Sequence, residues 1–343
     1  MITVFHEHEL GHRVRTRLSG GRLIDAVETP ERLSALLEAA KQCTSAIVEP
    51  GPAAMDVIQE IHDRGYLHFL ETGFAAWKER FPDSVELRPS LHISPYMRRL
   101  PEDLLGRAGY YINDAASVLV EDTWPAVLAS AASALEATRR VLDGAPAAYA
   151  LCRPPGHHAY PDMACGYCFL NNGAIAAARA RRSVERVTIL DVDVHHGNGT
   201  QAIFYGRPDV QTISVHADPS TTFPFYAGYA DERGAELGEG FNLNLPVAPL
   251  SGDEAYLAAV EEGIAATRDF SPDMVILPLG LDASEADPFA CMRVTSDGFA
   301  RMGEMLGAIG RPTVIIQEGG YPSPILGLNL IRFMEGFRAT SGA

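Results

Sequence analysis

The chain has 343 residues, of which 47% are hydrophobic, and its formal net charge is −16. This length allows one large domain or two of ordinary size. No run of about 18 apolar residues occurs, so the sequence predicts no membrane span. Arg and Lys form only short clusters, which argues against a nucleic-acid partner. The first residues lack the basic and then apolar layout of a signal peptide, and we expect a cytoplasmic protein.

The spacing of apolar residues predicts strands that alternate with helices, which indicates an α/β fold with a mostly parallel sheet covered by helices. Residues 65–124 are irregular, with aromatic residues interleaved with Pro and Arg. This composition is typical of a subunit contact, or of an irregular region packed on its own core. We expect strands at 2–5, 147–151, 186–190, 210–215, 241–247, 274–279 and 313–316, helices at 30–40, 55–61, 125–142, 171–180, 200–204, 254–268 and 296–309, and a loop at 11–21.

One predicted strand ends in an unusual polar run. Asp191, Asp193 and His195 follow the apolar stretch 187–190. Residues two apart in a strand point the same way, so these side chains share one side. Carboxylate oxygen and imidazole nitrogen suit zinc and its first-row neighbours. The run therefore predicts a metal site, and the alternative is a strand end that passes into a polar loop.

Three further strands also end in polar residues. These are the tandem His157 and His158, then Asp282, and finally Tyr321 after two glycines. In parallel α/β sheets, ligands bind at the carboxyl ends of the strands. We therefore expect these residues to converge on one site although they are far apart in the chain.

The residue types suggest a hydrolytic mechanism. Asp193, His195 and Asp282 would hold one metal ion and leave a position open, where the ion would activate water and polarise a carbonyl. One histidine of the tandem pair would move the proton. Two partners are available for these histidines: Asp191 would favour an imidazolium, and Asn198 would leave a neutral base. Tyr321 could donate a hydrogen bond to the developing oxyanion.

These motifs resemble the arginase–deacetylase fold, and within it the zinc-dependent histone deacetylase and acetylpolyamine amidohydrolase family. The resemblance implies a three-layer α/β fold and a single catalytic domain over residues 1–343. Chain length and the segments 70–72 and 109–111 look most like the bacterial acetylpolyamine amidohydrolase branch. The segments that carry the resemblance are 152–158, 166–172, 191–201, 279–282 and 318–321.

The resemblance implies a role for each catalytic residue. His158 would be the general base and acid, with Asn198 behind it. His157, paired with Asp191, would be its electrostatic partner, and Tyr321 would polarise the scissile carbonyl.

The resemblance also implies bound ions. The metal would normally be zinc and sometimes iron(II), with a structural potassium close to it and a second monovalent ion farther away. The implied ligands are Asp193, His195 and Asp282 for the metal; Asp191, the carbonyls of Asp193, His195 and Val215, and the Ser214 hydroxyl for potassium; and the carbonyls of Phe204, Arg207, Val210 and Phe241 for the second monovalent ion.

The substrate would enter through a tunnel lined by Tyr167, Phe225 and Gly166. The insertion at 65–124 would form a homodimer contact that narrows the entrance and excludes protein substrates.

Members of the family that act on polyamines carry acidic residues at the rim of the tunnel, and those positions fall here on Arg17, Leu105 and Ala116. A cationic chain would lose its partners and meet a like charge. Small neutral or anionic N-acyl compounds, and N-alkyl amides including xenobiotic amides, therefore stand beside acetylpolyamines as candidate substrates.

Two hypotheses of other kinds remain open at this point. The protein could be a metal-stabilised acyl-binding protein without turnover, or an arginase-like hydrolase with two manganese ions.

The five cysteines are too few and scattered for a disulfide framework. Cys165 and Cys168 form a CxxC motif that fits either two buried thiols or a redox pair beside the active site.

Overall fold

The computed structural model describes residues 1–91, 94 and 96–343. Three residues of the predicted insertion, at positions 92, 93 and 95, lie outside the described residues. The described chain forms ten strands: β1 (Ile2–Val4), β2 (Thr16–Ser19), β3 (Arg22–Asp25), β4 (Ile47–Val48), β5 (Ala147–Ala150), β6 (Val187–Asp191), β7 (Val210–Ala217), β8 (Asn242–Val247), β9 (Met274–Leu279) and β10 (Thr313–Gln317).

Helices follow most of the strands. Among the described residues they are α1 (Pro30–Cys43), α2 (Met55–Ile61), α3 (Arg64–Arg80), α4 (Leu104–Tyr111), α5 (Thr123–Leu142), α6 (Asn172–Arg181), α7 (Asn198–Phe204), α8 (Asp253–Phe270), α9 (Ser296–Gly307) and α10 (Leu326–Ser341). None of the described helices is long and apolar enough to cross a membrane.

Eight strands form one sheet in the order β4-β1-β5-β10-β9-β6-β7-β8, and all of its neighbouring pairs are parallel. Alternate residues of a strand enter different cores: Val314 and Ile316 pack into one apolar cluster, and Ile315 packs into the other. Helices α2, α3, α5 and α6 cover the first face, whereas α1, α8, α9 and α10 cover the second. This arrangement confirms the predicted three-layer α/β fold with its parallel sheet.

The strand order explains how distant residues meet. Strands β5, β10, β9 and β6 are consecutive neighbours in the middle of the sheet. Their carboxyl ends lead into the tandem histidines, Tyr321, Asp282 and the Asp191–His195 run respectively. All four predicted polar strand ends therefore open on the same edge.

Two regional predictions were wrong, and one helix was not predicted. The stretch at 11–21 contains β2, which pairs with β3 as an antiparallel hairpin through Gly20 and Gly21, both at positive φ. The stretch at 65–124 is helical over α3 and α4, and Tyr66, Phe69 and Tyr111 are buried in the core. Helix α10 was not predicted, although it buries a continuous apolar face against α9 and α1.

Replacing Phe333 on α10 with Ala is expected to lower the free energy of unfolding by about 3–5 kcal/mol, because the fully buried ring would leave a cavity. Urea unfolding followed by circular dichroism measures this loss. The control is Leu328→Ala on the same helix, where the side chain is 47% exposed and a change within about 0.5 kcal/mol is expected. Equal losses in the two variants would contradict the assigned packing of α10.

Candidate active site

Three side chains converge at the carboxyl ends of β6 and β9. The Nδ1 atom of His195 lies 3.3 Å from Asp193 Oδ1 and 3.2 Å from Asp282 Oδ2. One ligand atom from each residue falls within 4.8 Å of the others. Both aspartates are completely buried, and His195 is nearly so.

The backbone folds around these carboxylates. Asp191 Oδ1 accepts the Asp193 N–H at 3.0 Å, and Asp193 Oδ1 accepts the His195 N–H at 2.8 Å. Asp193 Oδ2 accepts the N–H of Gly319 from the loop after β10 at 2.7 Å. Asp191 and Asp193 therefore each fix the backbone of the residue two positions later. Asp193 also links the ends of β6 and β10.

The electrostatics of this cluster fit a metal cation. Burial raises the pKa of Asp282, and the neighbouring charge of Asp193 raises it further. Two carboxylates and an imidazole nitrogen so close together, with little water, are unfavourable without a cation between them. The donor set matches zinc and related divalent ions.

The tandem histidines have different partners. His157 Nδ1 lies 2.9 Å from Asp191 Oδ2, whereas His158 Nδ1 lies 2.6 Å from the amide oxygen of Asn198. Both histidines are buried, and their ring centres are 3.9 Å apart.

These partners separate the pKa values of the two imidazoles. Burial opposes protonation of His157, but the charges of Asp191 and Asp193 outweigh it and raise the pKa to about 10. A cation bound by Asp193 would cancel that residue's share and leave the hydrogen-bonded Asp191. Burial and the charges of His157 and His195 lower the pKa of His158 well below its usual value. His158 is therefore neutral beside a protonated neighbour.

Tyr321 faces the same cavity from the loop after β10. Its backbone N–H donates to Asp287 Oδ2 at 3.0 Å, and Gly320 before it has φ +106°. Burial raises the pKa of the Tyr321 hydroxyl well above its usual value, and Asp282 adds to the effect. The phenol therefore remains a hydrogen-bond donor at neutral pH.

A cavity of about 580 Å³ opens onto these groups. Tyr167 and Gly166 are part of its wall, where the sequence placed them. Phe225 is 56% exposed and lies outside the lining; its ring packs at 6.4 Å on Phe223, which is in the wall. The prediction at Phe225 is corrected to Phe223, because the chain turns at Phe225 (φ +68°) and leaves its ring toward solvent.

Sequence reasoning missed several residues around the cavity. Phe289 lines it and contacts the rings of both His195 and Tyr321. Asp114 accepts the Gly166 N–H at 2.7 Å. Glu318 lies within the motif 318–321 without a predicted role, yet its Oε2 accepts the N–H groups of Gly156 and His157. The position of Glu318 just before the glycines could have indicated its role, whereas Phe289 and Asp114 lie in loops without any such pattern.

The proposed potassium ligands lie beside the metal site and along β7. Asp191 on β6 is paired in register with Ser214 on β7. The second set surrounds the start of β7, where the Phe204 carbonyl accepts the Arg207 N–H and the Phe241 carbonyl accepts the Thr212 N–H. Both ion sites stay predictions.

The CxxC thiols are separate and buried. Cys165 and Cys168 pair through their backbones in an isolated bridge, and neither forms a disulfide. Burial raises the pKa of both thiols. Protonated, buried thiols react slowly, which favours the structural interpretation, and the redox role stays a hypothesis.

Comparison with known proteins identifies the family to which the chain belongs. The chain matches the family described as "Histone deacetylase domain" over residues 26–336. The chain belongs to the histone deacetylase family. It is 43% identical over 342 residues to the acetylpolyamine amidohydrolase of Burkholderia pseudomallei (strain 1710b), with 100% of both chains covered. It is 37% identical over 338 residues to that of Mycoplana ramosa, with 98% of this chain and 99% of the relative covered.

Among solved structures of the family, the chain is similar to a crystal structure of acetylpolyamine aminohydrolase from Burkholderia pseudomallei. The TM-score is 0.94 at 43% identity, with 99% of both chains covered. These matches confirm the predicted family and fold. The protein is an amide hydrolase of the deacetylase type, from a metal-dependent family whose expected ligand set is present here.

Gly166→Ala is expected to lower kcat/KM by at least about tenfold, because a Cβ there would collide with the ring of His158 and small displacements of catalytic groups are costly. Gly166 also has φ +56°, so backbone strain must be controlled for. The control is Gly310→Ala, at φ +71° with open space around it. Steady-state kinetics with circular dichroism separates the two effects, and an equal loss of activity in both variants would refute the contact with His158.

Proposed function

We propose that the protein hydrolyses the amide bond of a small linear N-acyl amine and releases a carboxylate and a free amine. The observation that carries this proposal is the unlike pairing of the tandem histidines, His157 with a carboxylate and His158 with a neutral amide. A protein that only bound a metal and an acyl group would have no use for one protonated and one neutral imidazole beside a buried phenol.

His158 carries the proton in this proposal. Because Nδ1 faces the Asn198 amide oxygen, the ring proton of neutral His158 belongs on Nδ1, and Nε2 keeps its lone pair. His158 lines the cavity, so Nε2 accepts a proton from the water that attacks the carbonyl carbon. The same nitrogen then returns this proton to the departing amine as the carbon–nitrogen bond breaks.

His157 and Tyr321 stabilise the negative charge that develops during the proposed reaction. Protonated His157 favours negative charge near the reacting centre and keeps His158 neutral. The Tyr321 hydroxyl donates a hydrogen bond to the substrate carbonyl oxygen as negative charge develops there, a contribution that matters most in a site with little water.

Asp193, His195 and Asp282 would hold a divalent ion, for which we propose zinc, with iron(II) as the alternative. When bound, such an ion lowers the pKa of a water molecule and polarises a carbonyl. We propose one ion per chain, because the described residues provide one cluster of this kind, whereas an arginase-like site needs further bridging carboxylates. Potassium at the two β7 sites and a homodimer through 65–124 belong to the same proposal.

The cavity supports a small substrate. Its volume falls within the range of roughly 300–1,000 Å³ that is usual for small-molecule sites. The relatives named above act, by their names, on acetylpolyamines, and we propose the broader class of N-acyl amines for this chain. A second candidate, neutral N-alkyl or xenobiotic amides, is favoured by the aromatic side chains of Tyr167, Phe223 and Phe289 in the wall.

A panel of acetylated diamines, acetyl-lysine peptides and neutral alkyl amides tests the proposal with zinc-loaded protein. We expect turnover of small amides over peptides, and elemental analysis should give about one zinc ion per chain. Removing the base in His158→Ala should lower kcat by about 10²–10⁴-fold, and Tyr321→Phe by about 10²–10³-fold. Tyr96→Phe, at a residue 80% exposed, is the control. No hydrolysis of any panel member, or full activity in either variant, would refute the proposal.

Asn198→Asp should move the acid limb of the pH dependence of kcat/KM upward by about one unit or more. A carboxylate beside His158 favours the imidazolium, so the pKa of this histidine rises, and the neutral base then appears only at higher pH. The variant should lose activity at pH values below the raised pKa of His158 and regain it above that pKa. A pH–rate profile measures the shift, with Asn113→Asp as a charge-matched control. An unmoved acid limb would show that His158 is not the base.

A further inference from the structure

One charged side chain beside the cavity has neither a hydrogen bond nor an ion pair to any described residue. Arg17 lies on β2, and its guanidinium carbon is 5.1 Å from the ring centre of Phe289, which lines the cavity. Its Nε is buried without a hydrogen-bond partner, and within the described part of the chain the guanidinium forms no ion pair. Leaving a buried donor unpaired is costly, and the terminal guanidinium nitrogens, which are not among the buried unpaired atoms, are available to an acceptor from outside the protein.

A neighbouring arginine, Arg88, differs from Arg17 because it has hydrogen-bond acceptors within the protein. Arg88 packs against the same hairpin, and its guanidinium donates to the Thr16 carbonyl at 2.8 Å and to the Glu86 carboxylate at 2.9 Å. An intramolecular acceptor is therefore available near the hairpin, but Arg17 is not aimed at it. The guanidinium of Arg17 instead lies over the ring of Phe289.

The carboxylate in the outer cavity wall is already engaged by the backbone. Asp114 Oδ1 accepts the N–H groups of Ala116 and Ser117, each at 3.0 Å, and Oδ2 accepts that of Gly166 at 2.7 Å. A carboxylate offers about four acceptor positions, so little capacity remains for a substrate ammonium. The carboxylate in the cavity wall is thus engaged by the backbone, whereas the cation behind Phe289, Arg17, has no hydrogen bond or ion pair to a described residue.

The unpaired cation is within reach of a short substrate. The Phe289 ring centre is 5.7 Å from that of His195 and 4.9 Å from that of Tyr321. Arg17 contacts the same Phe289 ring, so its guanidinium is no farther from the imidazole of His195 than the sum of the two ring distances. The charge of Arg17 also acts on the Tyr167 hydroxyl in the cavity wall. A linear chain held at the metal site can therefore bring its far end to Arg17.

We infer that Arg17 is a specificity-determining residue that binds a carboxylate at the far end of the substrate. The preferred substrates are then N-acyl derivatives of linear ω-amino acids, rather than N-acyl polyamines. A guanidinium binds a carboxylate in a bidentate geometry, and charge-assisted hydrogen bonds of this kind are strong. An ammonium group at the same place would meet a like charge. This inference rests on the proposed hydrolysis of a small N-acyl amine.

The net charge of −16 does not decide this preference. Interactions between exposed charges are largely screened beyond about 8–10 Å at physiological salt. The overall charge slows the approach of an anion at low salt, whereas the half-buried Arg17 acts at contact distance and is screened less. We therefore expect the association rate of the carboxylate substrate, relative to that of the ammonium substrate, to increase as the salt concentration is raised from a very low value.

Three matched substrates test the inference. All carry an N-acetyl group on a five-methylene chain, and they end in a carboxylate, a carboxamide or an aminomethyl group. Wild-type protein loaded with zinc should prefer the carboxylate over the ammonium by about tenfold or more in kcat/KM, mostly through KM. Arg17→Met, which keeps an apolar chain over Phe289, should remove most of this preference. Arg17→Glu should reverse it. Arg22→Glu, exposed near the tip of the same hairpin, carries the same charge change and should leave the ratios unchanged.

The possible outcomes separate the inference from the proposed function. If Arg17 only fastens the hairpin onto Phe289, all three substrates lose activity together in Arg17→Met and their ratios stay constant, which would overturn the inference. A wild-type preference for the ammonium end would overturn it as well. Calorimetric binding of linear hydroxamates with the same three end groups gives the ranking without turnover. Ranked binding with no hydrolysis would refute the proposed function alone.

Discussion

The structure depends on the burial of three carboxylates at the ends of two neighbouring parallel strands. Asp191, Asp193 and Asp282 are at most 2% exposed. An uncompensated buried carboxylate costs several kcal/mol. Backbone N–H groups from the loops after β6 and β10, the imidazolium of His157 and a divalent ion can together offset that cost. The loops therefore take the conformation that the anions require, and this conformation also places His158 and Tyr321.

A second buried network holds the catalytic loops from behind. Arg32 and Arg153 both form ion pairs with Glu28, and all three side chains are nearly inaccessible to water. Arg32 donates to the backbone carbonyls of the loop that ends at Tyr321, and Arg153 belongs to the segment that leads into His157. One carboxylate on the approach to α1 thus connects the phenol to the tandem histidines. Removing it would leave two buried guanidinium groups without this counter-charge, which is far more costly than breaking an exposed pair.

Local patterns were sufficient for the reacting end of the site. Each proposed catalytic or metal-binding residue follows a buried strand, and parallel strands end at one edge, so His158, Asp193, Asp282 and Tyr321 could be placed together from the sequence. Patterns failed where contacts between distant segments decide the structure. The β2–β3 hairpin is exposed and pairs only with itself, so it shows little apolar periodicity. Two aromatic residues, Phe223 and Phe225, are equivalent by composition, and only the turn at the second shows which ring enters the wall.

The hairpin of β2 and β3 shares no strand pairing with the eight-stranded sheet. The residues proposed to act on the amide bond follow the central strands, while Arg17, proposed to select the far end of the substrate, stands on a small, separately hydrogen-bonded ribbon. A substitution inside the ten-residue hairpin Thr16–Asp25 does not alter the backbone hydrogen bonds of the eight-stranded sheet. If Arg17 has the proposed role, exchange of this peripheral hairpin would change the substrate range while the residues that follow the central strands stay the same.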